Sequence, residues 1–247
     1  MRSEGPVAEA FFWGLLGSAS LIVGAVVVAV NMPAARTLGL IMGFGSGVLI
    51  SAVAFELVEE AATVADGLAA TTIGFFVGMA TFLLGDQAIS NMGYRDRKRM
   101  NAVHSASGLA IVLGIVLDGV PESAVLGLTL LEGGIGVAVL AAVFLSNLPE
   151  SIAATSGLRS SGWSWGRIYG LWAGIVLVSG VAAALGYQLM SAATPAVFAF
   201  VLAFAGGAIL SMLATTMMPE AYEYGGRLVG VTTTVGFATA FAISWIS

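Results

Sequence analysis

The sequence predicts an all-α integral membrane protein: eight transmembrane helices in a 3+2+3 arrangement with inverted repeats. Three observations carry this prediction. First, the 247 residues are 58% hydrophobic and only 9% charged, and mean hydropathy is +0.98, against roughly 45–50% apolar and 25% charged in a soluble domain. Second, apolar runs of the ~20 residues that a spanning helix requires recur along the chain. Third, two pairs of segments repeat internally. Zero cysteines exclude disulfide scaffolds, thiolate zinc sites and cysteine nucleophiles, and a single histidine, His104, excludes a site built on several imidazoles.

In order, the expected spans are 8–30, 36–60, 67–86, 105–130, 134–157, 167–190, 195–219 and 228–246, with a basic loop at 87–104. Together they form one transmembrane domain over 1–247 with little chain left for anything soluble. The first run is too long for a signal h-region and is read as a span. An outside N-terminus places Arg36, Arg95, Arg97, Lys98, Arg99, Arg159, Arg167 and Arg227 in cytoplasmic loops, eight of the nine basic residues, with Arg2 opposite. The positive-inside rule therefore predicts a multi-pass protein of the plasma (inner) membrane with both termini outside. The run YRDRKR is read as a topology determinant rather than an anionic-lipid patch.

Residues 44–61, FGSGVLISAVAFELVEEA, align without gaps on 204–221, FAGGAILSMLATTMMPEA, and DGVPES at 118–123 falls on SNLPES at 146–151. In the expected topology span 2 runs opposite to span 7, and span 4 opposite to span 5. Inverted repeats with prolines at mid-membrane point to a secondary transporter whose site lies at the repeat interface, although a channel can share the symmetry.

Asp118 and Glu122 fall near the middle of span 4, and Asn147 and Glu150 near the middle of span 5. Three acids at that depth cost roughly 8–10 kcal/mol by simple addition of insertion penalties. Spacing shows how this is offset. Asp118 and Glu122 share one helix face, as do Ser146 and Glu150, four residues apart. Pro121 and Pro149 donate no i−4 hydrogen bond and free carbonyls near Leu117 or Asp118 and near Leu145 or Ser146. Carboxylates and freed carbonyls at one depth, with no Lys or Arg inside any span, call for a bound cation. Protonated acids acting as buried polar glue, or as a proton relay, are the competing uses of the same residues.

At these residues the chain resembles the ZIP family of divalent-metal transporters, whose fourth and fifth helices carry paired motifs of the type His-Asn-x-Pro-Glu-Gly and whose second and seventh end in Pro-Glu-Ala-like turns. The resemblance covers nearly the whole chain, including MMPEA closing span 7. It implies a metal site between helices 4 and 5, a homodimer, and a transport bundle moving against a scaffold. In span 4 the family's histidine position holds Asp118, its asparagine position Gly119 and its acidic position Glu122. In span 5 these positions hold Ser146, Asn147 and Glu150, and in ELVEEA Glu56 takes a histidine's place. The span 6 interior, IYGLWAGIVLVSG, offers no glutamate for a second metal.

The expected ligands are thus Asp118, Glu122 and Glu150, with Asn147 and Ser146 auxiliary and Glu56 as an entrance or additional ligand. Oxygen ligands suit Mn²⁺, Mg²⁺ or Ca²⁺, whereas the resemblance implies zinc, with manganese, iron or cadmium as further candidates. The expected partners are that ion as transported substrate, the lipid bilayer and a second copy of the chain; no enzymatic activity and no nucleic-acid partner are expected. A non-transporting metal sensor or scaffold and a proton-coupled carrier of a small solute are the rival readings. GWSWG at 162–166 matches a nucleophile elbow, but Trp163 and Trp165 read instead as an interfacial aromatic pair.

Overall fold

The computed structural model describes residues 5–31, 33–64, 68–89, 122–132 and 137–246, and among these the chain is helical with no strand. The elements are α1 (Gly5–Val30), α2 (Ala35–Val64) and α7 (Pro195–Gly225); α3 (Ala69–Ile89); α4, residues 122–129; α5 (Val137–Ser160); α6 (Trp165–Met190); and α8 (Leu228–Ile246). All except α4 are long and apolar enough to cross a membrane, making seven such helices among the described residues. The protein is an all-helical, multi-pass membrane protein. The expected spans match these helices to within a few residues, except that most of span 4, with Asp118, Pro121 and the 87–104 loop's basic run and His104, lies outside the described residues.

Helix ends follow local chemistry. Ser164 and Thr194 cap α6 and α7, their hydroxyl oxygens accepting from the backbone N–H of Arg167 and Val197 at 3.4 Å. The α5–α6 turn closes with Trp163 N–H on Leu158 O and Gly162 N–H on Arg159 O, each 3.0 Å. That pattern needs a left-handed residue, supplied by Gly162 at φ 82°. Ser164 of GWSWG is therefore a helix cap. Trp165 holds the Arg159 guanidinium 4.6 Å above its ring, consistent with an interfacial role.

The two segments that the sequence aligns pack against one another. α2 and α7 are antiparallel: Gly39, near the start of α2, abuts the backbone of Ala221 and Gly225 at the end of α7, while Gly206 of α7 meets Leu57 and Val58 of α2. α3 lies along α7, where Gly74 and Gly78 admit the carbonyls of Phe200 and Phe204, and Gly207 admits that of Phe75. α8 lies along α2 in the same way: Gly236 admits the carbonyl of Phe44, and Gly47 that of Thr233. Phe44 and Phe204, and Gly47 and Gly207, are the residues the sequence alignment pairs. A Cβ at Gly39, Gly47, Gly74, Gly78, Gly207 or Gly236 would collide with backbone, so the close approach typical of membrane helices depends on them.

Each of α2 and α7 also contains a π-helical turn, Ala52–Val58 and Leu213–Met217, marked by Glu59 N–H on Ala54 O and Met218 N–H on Leu213 O. In the gap-free alignment Val53–Leu57 falls on Leu213–Met217, so the two widenings occupy matching places. Two features differ from the expected continuous or broken spans. α1 is interrupted at Ala19 by a tight turn, Ala19 N–H on Leu16 O at 3.2 Å. α5 is continuous through Pro149, which removes one hydrogen bond without ending the helix.

The main core is formed by α2, α4, α5 and α7, with Leu38, Leu49, Leu57, Leu126, Leu202 and Met212 fully buried. A smaller core joins α1, α5 and α6 around Trp172, whose Nε1–H donates to Thr155 Oγ1 at 2.9 Å. Large apolar side chains on the periphery face outward, Phe76 and Leu84 on α3, Leu189 on α6 and Trp245 on α8 among them, as suits a lipid solvent.

Candidate cation site

Polar side chains concentrate where α4 meets α5. Glu122 opens α4 and is 2% exposed; Ser146 and Asn147 on α5 are 0% and 3% exposed. Ser146 Oγ lies 3.4 Å from Glu122 Oε2 and 3.1 Å from Val143 O, so its single proton is shared between a carboxylate and a carbonyl. This contact joins residues 24 apart in the chain and brings the two Pro-Glu-Ser segments together. Ser123 and Ser151, the matching serines of those segments, are both fully buried. Ser151 Oγ shares its proton between Leu148 O at 2.9 Å and Ser20 O of α1 at 3.4 Å, where Gly24 leaves room for it. Glu150, one turn beyond Ser146 on the same face of α5, is half-buried.

Glu122 also borders a small cavity of about 10 Å³, room for roughly one water-sized sphere. Leu49, Ala52, Val53 and Leu57 of α2, Val139, Ala142 and Val143 of α5, and Ile209 of α7 complete its wall. The first π turn thus supplies Ala52, Val53 and Leu57 to the carboxylate's surroundings. Leu49 and Ile209 hold matching positions in the α2–α7 alignment and meet at the same cavity. Sequence reading missed this apolar rim, although the repeat itself carried the signal.

Of the expected ligands, Glu122, Ser146 and Asn147 are buried on α4 and α5, and Glu150 continues the same face. Glu56 sits elsewhere: it is half-buried in the π turn of α2, and its carboxylate accepts from Ser244 Oγ of α8. It does not line the Glu122 cavity. Asp118 lies outside the described residues, and among the described residues no three His, Cys, Asp or Glu side chains form a cluster that could hold a metal. In the described helices every Lys or Arg lies in a first or last turn, namely Arg36, Arg159 and Arg167. The donors available at the α4–α5 contact are a carboxylate, a hydroxyl, a side-chain amide and the Leu145 carbonyl that Pro149 leaves without its i+4 partner. No protein-family model matches the chain, and no curated protein matches it by sequence.

Proposed function

We propose that this protein is a ZIP-type transporter that carries a divalent metal ion across the plasma or inner membrane, binding it between α4 and α5. The observation that carries the reading is the buried Glu122–Ser146 contact between the two Pro-Glu-Ser segments. It sets an acid deep in an apolar helix bundle, against a serine of the facing repeat. A dehydrated cation is the partner that offsets such a charge. Asp118 and Glu150 complete the proposed ligand set, with Asn147 and Ser146 auxiliary; Glu56, on the α8 side, is an entrance ligand. Zinc is the leading substrate by family resemblance, with Mn²⁺, Fe²⁺ and Cd²⁺ as alternatives.

The eight-helix, 3+2+3 arrangement is part of the proposal, and helix direction supports it. α3 and α7 run the same way, so an odd number of crossings separates them. α5 and α6 supply two, and the expected span 4 would supply the third. The exchange of α2–α8 contacts for α7–α3 contacts supports inverted repeats in which the first three helices correspond to the last three. Both termini are assigned outside on the distribution of basic residues, and the working unit is assigned as a homodimer by resemblance.

Reconstitution in liposomes tests the function: uptake of Zn²⁺, Mn²⁺, Fe²⁺, Cd²⁺ and Ca²⁺ is compared for wild type, Asp118→Ala and Glu150→Ala. Metal flux in wild type that is lost in both variants is expected. No flux in wild type contradicts transport and leaves a sensor or scaffold; undiminished flux in both variants contradicts the site.

A further inference from the structure

The ligand set described so far contains oxygen only, which favours hard cations. One feature of the packing brings a thioether side chain close to it. Gly45 of α2 lies one turn before Leu49, on the face that borders the Glu122 cavity, and three groups from two other helices converge on it. A Cβ at Gly45 would lie 3.1 Å from Met217 Cε, 3.2 Å from the Leu145 carbonyl oxygen and 3.6 Å from Ser146 Cα. The Leu145 carbonyl is the one that Pro149 releases, and Ser146 is the residue bonded to Glu122. Met217 is 1% exposed and ends the π turn of α7. π turns inside α-helices mark functional positions more often than ordinary turns do, because they shift the side chains that follow out of the regular helical register.

We infer that Met217 and the Leu145 carbonyl belong to the cation site, so that a thioether joins the Glu122 and Ser146 oxygens and biases the protein toward soft divalent cations. This rests on the transporter reading above and deepens it by assigning the selectivity. Carboxylate, carbonyl and hydroxyl ligands leave Mn²⁺, Mg²⁺ and Ca²⁺ competitive, whereas a polarizable thioether favours Zn²⁺ and, more strongly, Cd²⁺. The absence of a side chain at Gly45 is what brings α2 within reach of both groups. Met217 supplies its sulfur from a flexible, unbranched side chain that can turn without moving the backbone.

The test uses the purified full chain in lipid nanodiscs, with Cd²⁺ alone and Mn²⁺ alone as probes, in wild type, Met217→Leu, Met212→Leu and Glu122→Gln. Methionine-to-leucine conserves volume and keeps the fold, and Met212, also buried, is the control for loss of a thioether elsewhere. Met217→Leu is expected to weaken Cd²⁺ binding about tenfold or more while Mn²⁺ binding holds, and Met212→Leu to change neither. Cadmium X-ray absorption on the loaded wild type should show a Cd–S path that Met217→Leu removes. An unchanged Cd²⁺/Mn²⁺ ratio and an unchanged absorption spectrum in Met217→Leu, with both metals lost in Glu122→Gln, overturn the sulfur assignment and leave the oxygen site standing. A wild type that binds neither metal overturns both.

Discussion

Glu122 is where the energetics are sharpest. It is 2% exposed against an apolar wall, and Ser146 is a neutral partner. A carboxylate at such depth carries an insertion cost of roughly 2.5–3.5 kcal/mol that an apolar side chain of similar size does not. Glu122→Leu should therefore hold or raise the melting temperature in nanodiscs while abolishing metal uptake. A variant that melts far below wild type would show that the carboxylate serves the fold. Gly24 gives a second test at this scale. A Cβ there would run into the Ser151 hydroxyl, so Gly24→Ala should cost about 1–3 kcal/mol from overpacking. Because the two sites touch, the cost should shrink in a Ser151→Ala background, which a double-mutant cycle on unfolding measures directly.

Among the elements, α5 carries the most information. Pro149 sits inside an unbroken helix, and its effect is confined to one released carbonyl at Leu145. Pro149→Ala should leave helix content unchanged by circular dichroism yet lower Cd²⁺ affinity about tenfold, since it returns an N–H to the carbonyl assigned to the cation. Unchanged affinity would remove Leu145 from the site. The meeting of α4 and α5 was legible in the sequence because proline, glutamate and serine recur in one order, and each residue type carries its own physical signature. The α1 break at Ala19 was not: its turn holds no proline, and Gly17 within it is one of several glycines in α1, with Gly14 and Gly24 in helical turns. Nor could the hydrogen bond from Ser244 to Glu56 be read, because nothing in the period of an apolar helix says which neighbour lies 188 residues away. The π turns show an intermediate case. AVAFELV and LATTM carry no compositional mark, and only the alignment of 44–61 on 204–221 shows that they occupy the same place.

At the scale of the molecule, the two halves are built on matched glycine contacts, Gly236 on Phe44 and Gly78 on Phe204. Apolar length made the spans legible, since a bilayer demands about 20 residues of it; the relative direction of α3 and α7 needed the fold. That direction yields a topology test that the cysteine-free chain makes simple. Ala34, Ser161 and Ala192 all lie between helices and are exposed, and each is a site for a single cysteine. With an eighth crossing between Ile89 and Val137, Ala34→Cys and Ser161→Cys react with an impermeant maleimide from one side and Ala192→Cys from the other. Labelling of Ala34→Cys and Ala192→Cys from the same side would contradict the eight-helix arrangement.

The proposed site holds one cation between α4 and α5. Equilibrium binding of radioactive Cd²⁺ to the purified protein tests it most directly, in wild type and in the Glu122→Gln/Glu150→Gln double variant. Wild type should bind about one ion per chain saturably, and the double variant should lose that binding. Saturable binding that survives in the double variant would contradict it.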